Sequence, residues 1–210
     1  MLVVLENLHL ERSSDSFEIY EQDLFKEIRS KNNLEHLSRD PILQSYRSLH
    51  WAHGIDPTKM RVSSEAVLRR VLQGENLWRI SNLVDIVNLS SAYHKIPIGL
   101  IDEDKVSGQL TVRIAKRGEV FQRIGGESIK CRGREIVVAD EIGIVCYGFA
   151  IHDSERTKVT STTKKVFMLH YGTQAISEDD IVKATNFTVE LITRWVDCLA
   201  SEPVLLVPKD

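Results

Sequence analysis

Two polar segments of the 210-residue sequence carry side chains that could do chemistry. The first, DIVNLSSAYHKIPIGLID at residues 85–102, places Asn88 and Ser91 among apolar residues at helical spacing. An amide at such a position is either exposed on the helix surface or buried with its hydrogen bonds satisfied. The structural interpretation is a surface or capping side chain. The functional interpretation is an amide that holds a water molecule or a ligand carbonyl at the rim of a sheet.

The second segment, HDSERTKVTSTT at residues 152–163, lies between two apolar stretches that resemble strands. Threonine hydroxyls and backbone N–H groups bind an anion without carrying charge. A guanidinium makes bidentate hydrogen bonds to phosphate or carboxylate. We therefore expect an oxyanion or phosphate site here, or else a solvated loop that caps a short helical turn. Asp153 is expected to orient the guanidinium. The candidate residues of the anion site are Arg156, Thr157, Thr160, Thr162 and Thr163.

Residue spacing gives little support to a metal or cofactor site. His50 and His53 are three residues apart on a predicted helix, but no third ligand accompanies them. The three cysteines show no C-x-x-C spacing and suit a reducing compartment. The sequence also contains no phosphate-binding glycine loop, no hydrolase nucleophile turn and no H-E-x-x-H motif. We therefore predict neither a metal nor a cofactor.

Composition indicates an ordinary globular protein of the cytoplasm. Hydrophobic residues make up 42% and charged residues 27% of the chain, which suffices for a core without disulfides. No apolar run approaches the roughly 18 residues of a membrane span, and the N-terminal MLVVLE does not look like a signal peptide. We expect no membrane contact. The net charge of −3 argues against a protein that coats RNA, but it allows a local patch that grips one RNA end.

The hydrophobic pattern changes from helical to alternating near residue 96. Before that point we predict a strand over 2–10 and helices over 13–31, 41–53, 63–73 and 80–93. After it, five or six short and mainly antiparallel strands precede a long helix over 177–200. Helices, then strands, then a helix indicate an α+β domain with helices stacked on one side of a sheet.

Five motifs resemble, in order and spacing, those of a known domain: VDIVNLSS, PIGLID, VRIAKRGE, VVAD and ERTKVTSTT. The chain resembles the B3/B4 domain of the phenylalanyl-tRNA synthetase β subunit, and is still more similar to stand-alone B3/B4 proteins. The resemblance covers roughly residues 40–200. It implies a three-layer α+β fold of mainly antiparallel sheets with helices packed on one side. The implied divisions are an N-terminal strand and helix extension over 1–40, the domain over 41–202 and a tail over 203–210.

In the synthetase this domain accepts the 3′ end of a mischarged tRNA and hydrolyses the wrong aminoacyl ester, in a pocket between its two halves. The resemblance implies that the present chain does so in trans, with the tRNA 3′ end and an aminoacyl ester or amino acid as partners. A non-catalytic module that binds tRNA or an amino acid is the alternative, and a small-molecule enzyme on the same fold is a third. The sequence leaves the oligomeric state open.

Carried over residue by residue, the resemblance matches Asn88 to an asparagine in the corresponding helix of the synthetase. The pocket histidine falls on Gly99, and the pocket glutamate falls on or near Leu169, beside His170. Glycine in place of histidine is expected to open space for a different substrate side chain. The hypothesis assigns catalysis to Asn88, Thr160 and Thr163. It assigns substrate binding to Ser91, Gly99, Asp153, Arg156, Thr157 and His170.

Overall fold

The computed structural model describes residues 1–149 and 152–207. In that part of the chain, helices α1 to α5 span Asp15–Lys31, Pro41–Ala52, Ser63–Leu72, Asn82–His94 and Glu178–Trp195. Strands β1 to β9 span Leu2–His9, Ile98–Asp102, Thr111–Ile114, Val120–Gln122, Ser128–Lys130, Ile136–Ala139, Ile144–Tyr147, Val166–His170 and Asp197–Ala200. Neighbouring strands pair antiparallel throughout these residues, so the predicted α+β class with antiparallel sheets is confirmed.

Side-chain caps fix where the helices begin. Asp40 Oδ1 accepts hydrogen bonds from the backbone N–H groups of Ile42 and Leu43, each at 3.1 Å, and Pro41 opens α2. Ser177 Oγ accepts one from the N–H of Asp180 at 3.1 Å, at the start of α5. Caps depend on residues within one turn of the helix, so the predicted helix starts lie within two residues of the observed ones.

The last helix is shorter than predicted. It ends at Trp195, although its apolar stripe predicted a helix to residue 200. Asp197–Ala200 instead forms β9 and pairs with β1, where Leu5 lies opposite Ala200. The prediction was wrong because the pairing partner lies at the other end of the chain and leaves no trace in local periodicity.

The elements form three layers. A four-stranded sheet with the order β2-β8-β1-β9 lies in the middle. Alternate side chains such as Val3 and Met168 face the helices and share one hydrophobic core with them. The side chains between them, such as Leu169, face Val138 and the rest of a three-stranded sheet with the order β3-β6-β7. The contact between the two sheets is the seam where two halves of the protein meet.

Residues 1–40 share the core of the rest of the chain. Strand β1 lies between β8 and β9 in the central sheet, and Phe17 and Phe25 of α1 are fully buried in the main core. In the tail, Val204 forms an isolated antiparallel bridge with Leu2. The predicted tail continues through residues 208–210, which lie outside the described residues. None of the described helices is both long and apolar enough to cross a membrane.

Candidate functional site

The residues predicted to form one site lie in three separate places, apart from Asn88 and Ser91, which have other surroundings on α4. Strand alternation divides them, because successive side chains of a strand point to opposite faces of the sheet. His170 pairs with Ile98 on the face that meets the helices, whereas Gly99 pairs with Leu169 on the face that meets the second sheet. Asn88 lies in the helix layer. The expected pocket lined jointly by Asn88 and Gly99 is therefore wrong, because the central sheet separates the two residues.

The first place is the polar loop over 152–163, where the guanidinium is already engaged. Arg156 donates hydrogen bonds to the two carboxylate oxygens of Asp140 at 2.8 and 2.9 Å and to the carbonyl of Lys105 at 2.8 Å. Asp140, and not Asp153, therefore orients Arg156. The expectation failed because Asp140 follows β6, and only the folded sheet brings the end of that strand to the loop.

The hydroxyls of this loop are also engaged within the protein. Thr163 Oγ1 donates to Asp102 Oδ2 at 2.7 Å and accepts from the N–H of Thr160 at 2.9 Å. Thr157 Oγ1 donates to the carbonyl of Val145 at 3.3 Å. These contacts tie the loop to the end of β2 and to β7. They support the structural interpretation of the segment, since the donors expected to meet an oxyanion already have partners.

The second place is a buried polar cluster where α4, β8 and α5 meet. Thr188 Oγ1 lies 2.5 Å from Ser90 Oγ and 3.0 Å from His170 Nε2. His170 Nδ1 and His94 Nε2 are buried without a hydrogen-bond partner among the described residues. Burial lowers the pKa of His94 to about 4. Burial, the nearby N-terminal ammonium and His94 lower the pKa of His170 to about 3, so both rings are neutral at pH 7.

Asn88 and Ser91 have different surroundings on α4. Ser91 is buried, and its hydroxyl donates to the carbonyl of Ile96 at 2.8 Å, which pins the turn between α4 and β2. Asn88 is partly exposed, and its amide has no hydrogen-bond partner within 1–149 and 152–207. No group of three or more His, Cys, Asp or Glu side chains in these same ranges could hold a metal ion.

The third place, called the seam site below, consists of Gly99, Cys146, Phe149, Asp153 and Tyr171. Asp153 belongs to it because it forms an isolated antiparallel bridge with Cys146. A Cβ atom added to Gly99 would lie 2.7 Å from Tyr171 Oη. That hydroxyl is 3.3 Å from Cys146 Sγ on β7, and the tyrosine ring packs edge-on against Phe149 with 5.6 Å between centroids. The expectation that Gly99 opens space is therefore wrong, because Tyr171 fills that space.

Asp153 is the group in the seam site that titrates near neutral pH. Burial raises the pKa of its carboxyl group to about 7. Burial and the charge of Asp153 raise the pKa of the Cys146 thiol to about 12, and burial raises the pKa of the Tyr171 phenol well above its usual value. Thiol and phenol are thus protonated at pH 7, beside a carboxyl group that is about half ionised. The seam site combines a proton acceptor with a hydroxyl donor.

Sequence reasoning did not single out Tyr171, Cys146 or Thr188. Alternation along β8 could have found Tyr171, because residues 167, 169 and 171 are spaced to share one face, the face of Leu169 and Gly99. Thr188 shares the helical spacing of the buried residues Ala184 and Leu191, a pattern typical of a core position rather than of a site. Cys146 offered no local signal, since its proximity to Tyr171 depends on the packing of two sheets.

A methyl group at Gly99 is expected to destabilise the fold. The Gly99→Ala change forces its Cβ against Tyr171, whose ring is held by Cys146 and Phe149, and overpacking of this kind costs about 1–3 kcal/mol. The measurement is the free energy of unfolding in urea. Gly148→Ala is the matched control, because its Cβ would meet Ile136 at an ordinary 3.6 Å.

A double-mutant cycle tests the cause of that loss. Tyr171→Phe removes the hydroxyl that a Cβ at Gly99 would meet, so Gly99→Ala should cost less in the Y171F background. An equal cost in both backgrounds would show that the hydroxyl of Tyr171 does not set the limit on side-chain size at Gly99.

Comparison with known proteins connects this chain to one family. The B3/4 domain family matches residues 45–194. The chain is similar to the phenylalanine–tRNA ligase β subunit of Bartonella henselae, with 34% identity over 101 residues that cover 48% of this chain and 12% of that protein. It is similar to the corresponding subunit of Mycoplasma pneumoniae, with 26% identity over 146 residues that cover 68% and 18%.

Among solved structures, an N-terminal fragment of the phenylalanyl-tRNA synthetase β subunit from Pyrococcus horikoshii gives a TM-score of 0.45 at 18% identity, covering 56% of this chain and 41% of the fragment. The chain therefore spans less than a fifth of the two curated β subunits that it matches. Because the family match extends over more than half of the 210 residues, this protein belongs to the B3/4 domain family.

Proposed function

We propose that this protein is a tRNA-associated hydrolase of the cytoplasm that clears mischarged aminoacyl-tRNA in trans. Membership of the B3/4 domain family supports a role connected with tRNA, because the curated relatives are β subunits of phenylalanine–tRNA ligase. The matches cover only 12% and 18% of those subunits, so we do not propose that this protein joins an amino acid to tRNA.

The observation that carries the hydrolytic role is the bridge between Asp153 and Cys146, which brings a carboxyl group into the same site as the Tyr171 hydroxyl. The pKa of that carboxyl group, about 7, suits a general base. Ester hydrolysis needs a base that takes a proton from water and a donor that meets the negative charge on the carbonyl oxygen. Asp153 serves as the base and the protonated Tyr171 hydroxyl as the donor. We accordingly assign catalysis to these two residues rather than to Asn88, Thr160 and Thr163.

The proposed reaction has two steps, attack by water on the ester carbonyl and departure of the ribose oxygen. The carboxylate of Asp153 accepts a proton as the water oxygen bonds to the ester carbonyl carbon, and the tetrahedral centre then breaks the bond to the ribose oxygen. The proton held by Asp153 passes to that oxygen, so free amino acid and uncharged tRNA leave. Cys146 stays a thiol, since its pKa of about 12 keeps it from acting as a nucleophile at neutral pH.

A panel of correctly and incorrectly charged tRNAs tests the activity. We expect the protein to release amino acid from at least one mischarged tRNA faster than buffer does, with a rate that rises through pH 7 as Asp153 ionises. Correctly charged tRNAs in the same panel are the control. Release at the buffer rate from every member would contradict the hydrolytic role.

The position of Tyr171 favours a second candidate function, a non-catalytic module that binds tRNA or an amino acid. Its ring fills the space over Gly99 that a substrate side chain would need, so hydrolysis requires the ring to move. If the ring stays in place, the protein is expected to bind tRNA without releasing amino acid. The charged-tRNA panel and a binding measurement together separate the two functions.

A further inference from the structure

A polar groove of about 640 Å³ lies in a part of the fold that the proposed hydrolysis does not use. The end of α1 and the segment between α1 and α2, up to the helix cap Asp40, form most of its lining. Lys95, directly after α4, completes it. Apart from Lys95, the lining residues lie between 29 and 40, ahead of the segment that the B3/4 domain family matches. The groove is thus a feature of this chain's N-terminal segment.

The groove concentrates positive charge in a protein whose net charge is −3. Four cationic side chains line it together with one acid, Asp40. Lys95 Nζ binds Asp40 Oδ2 at 2.6 Å, and Asp40 Oδ1 also caps α2, so the carboxylate is fully engaged. The remaining cations are Arg29, Lys31 and Arg39, which leaves the groove basic.

The contacts of these three cations leave most of their donors available. Arg29 uses only Nε, which donates to the carbonyl of Val71 at 2.8 Å. Lys31 pairs at the surface with Glu27 at 2.5 Å, and exposed pairs of this kind contribute little to stability. Arg39 is exposed and forms no ion pair in the described part of the chain. Guanidinium and ammonium groups whose N–H donors are available bind phosphate oxygens well.

We infer that this basic groove binds the phosphate backbone of RNA, and that it holds the body of the tRNA whose end is processed at the seam site. The inference rests on the proposed function for the identity of the RNA. A volume of about 640 Å³ accommodates a nucleotide, because sites for small ligands span roughly 300–1,000 Å³. Since the whole chain is acidic, affinity for RNA has to come from a local group of cations such as this one.

Binding of labelled, uncharged tRNA to the full chain tests the groove, with fluorescence anisotropy measured at several salt concentrations. Arg39→Glu is expected to raise the Kd by roughly tenfold and to reduce the slope of log Kd against log salt by about 1, since one phosphate contact is lost. Lys31→Glu combined with R39E should weaken binding further. Arg117→Glu is the matched control, because Arg117 is an exposed arginine outside the groove and has no ion pair among the described residues.

The outcomes separate this inference from the proposed function. If R39E binds tRNA with the same Kd as the unchanged protein and the R117E control, the groove assignment is overturned. The charged-tRNA panel tests hydrolysis independently of that result. If the unchanged protein binds no tRNA, both proposals fail. Adenosine monophosphate is the further probe, and its binding to the groove as tightly as tRNA would overturn the assignment to an RNA chain. At saturating tRNA, R39E should keep the unchanged rate of release.

Discussion

The Asp153→Asn change is expected to lower the rate of amino-acid release at pH 7 by about 100-fold or more, because an amide cannot take the proton from water. The change keeps the shape of the side chain. Its matched control is Glu155→Gln, an acid-to-amide change two residues away, where the carboxylate pairs with Lys158 outside the seam site. E155Q should keep the rate, and D153N should also lose the rise in rate through pH 7.

The same substitution is expected to make the protein more stable at pH 8. Burial raises the pKa of Asp153 from 3.8 to about 7, so the folded protein holds this proton more tightly than the unfolded chain does. The resulting stability is complete below pH 3.8 and is lost as the pH rises through 7. The shift in pKa corresponds to a loss of up to about 4 kcal/mol in the free energy of unfolding. Solvent screening at this partly buried group reduces that loss.

Measuring activity and stability together distinguishes a catalytic residue from a structural one. A catalytic Asp153 predicts that D153N loses turnover and gains stability at pH 8, as expected when a fold retains a costly ionised group for its chemistry. Loss of both turnover and stability would show that the carboxyl group serves the fold. Unchanged turnover in D153N would remove Asp153 from the mechanism.

The sequence predicted those features that depend on neighbouring residues. Asp40 and Ser177 cap helices through bonds within one turn, so both helix starts could be read directly. Strand β9 could not be predicted, because Ala200 pairs with Leu5 at the opposite end of the chain. No local signal marks the end of α5, so its apolar stripe predicted a helix that extends through the residues of β9.

The candidate site was harder to predict than the fold, because its contacts are almost all non-local. Gly99 stands where the family has a histidine, but the residue that fills the space beside it, Tyr171, directly follows another strand, β8. Arg156 was expected to pair with a near neighbour in sequence and instead binds Asp140. Side chains close in sequence, such as Asn88 and Gly99, were expected to meet, although the sheet separates them.

The buried His170 and the partly buried His94 are expected to make the protein lose stability in acid. Their pKa values lie at about 4 and about 3, below the 6.5 of an exposed histidine, so the unfolded chain binds the protons first. Stability is therefore complete above pH 6.5 and falls as the pH decreases toward 4. Each histidine is expected to account for about 3 kcal/mol between pH 6.5 and 4.

Asp153 opposes this trend, because its own linkage makes the protein more stable as the pH falls from 7 to 3.8. The test therefore uses the D153N background, with the free energy of unfolding in urea measured from pH 7.5 to pH 4. H94Q and H170Q should each flatten the loss of stability. His36→Gln, at an exposed position, is the control and should leave the slope unchanged.

The slope, rather than the stability at one pH, is the informative quantity. Ser90, Thr188 and His170 share one hydrogen-bond chain, so H170Q also changes packing and bonding at every pH. That constant loss does not depend on protons, whereas the cost of charging a buried ring grows only below pH 6.5. Parallel curves for the D153N protein with and without H170Q would mean that a water molecule or a movement of the cluster lets His170 take up its proton in the folded state.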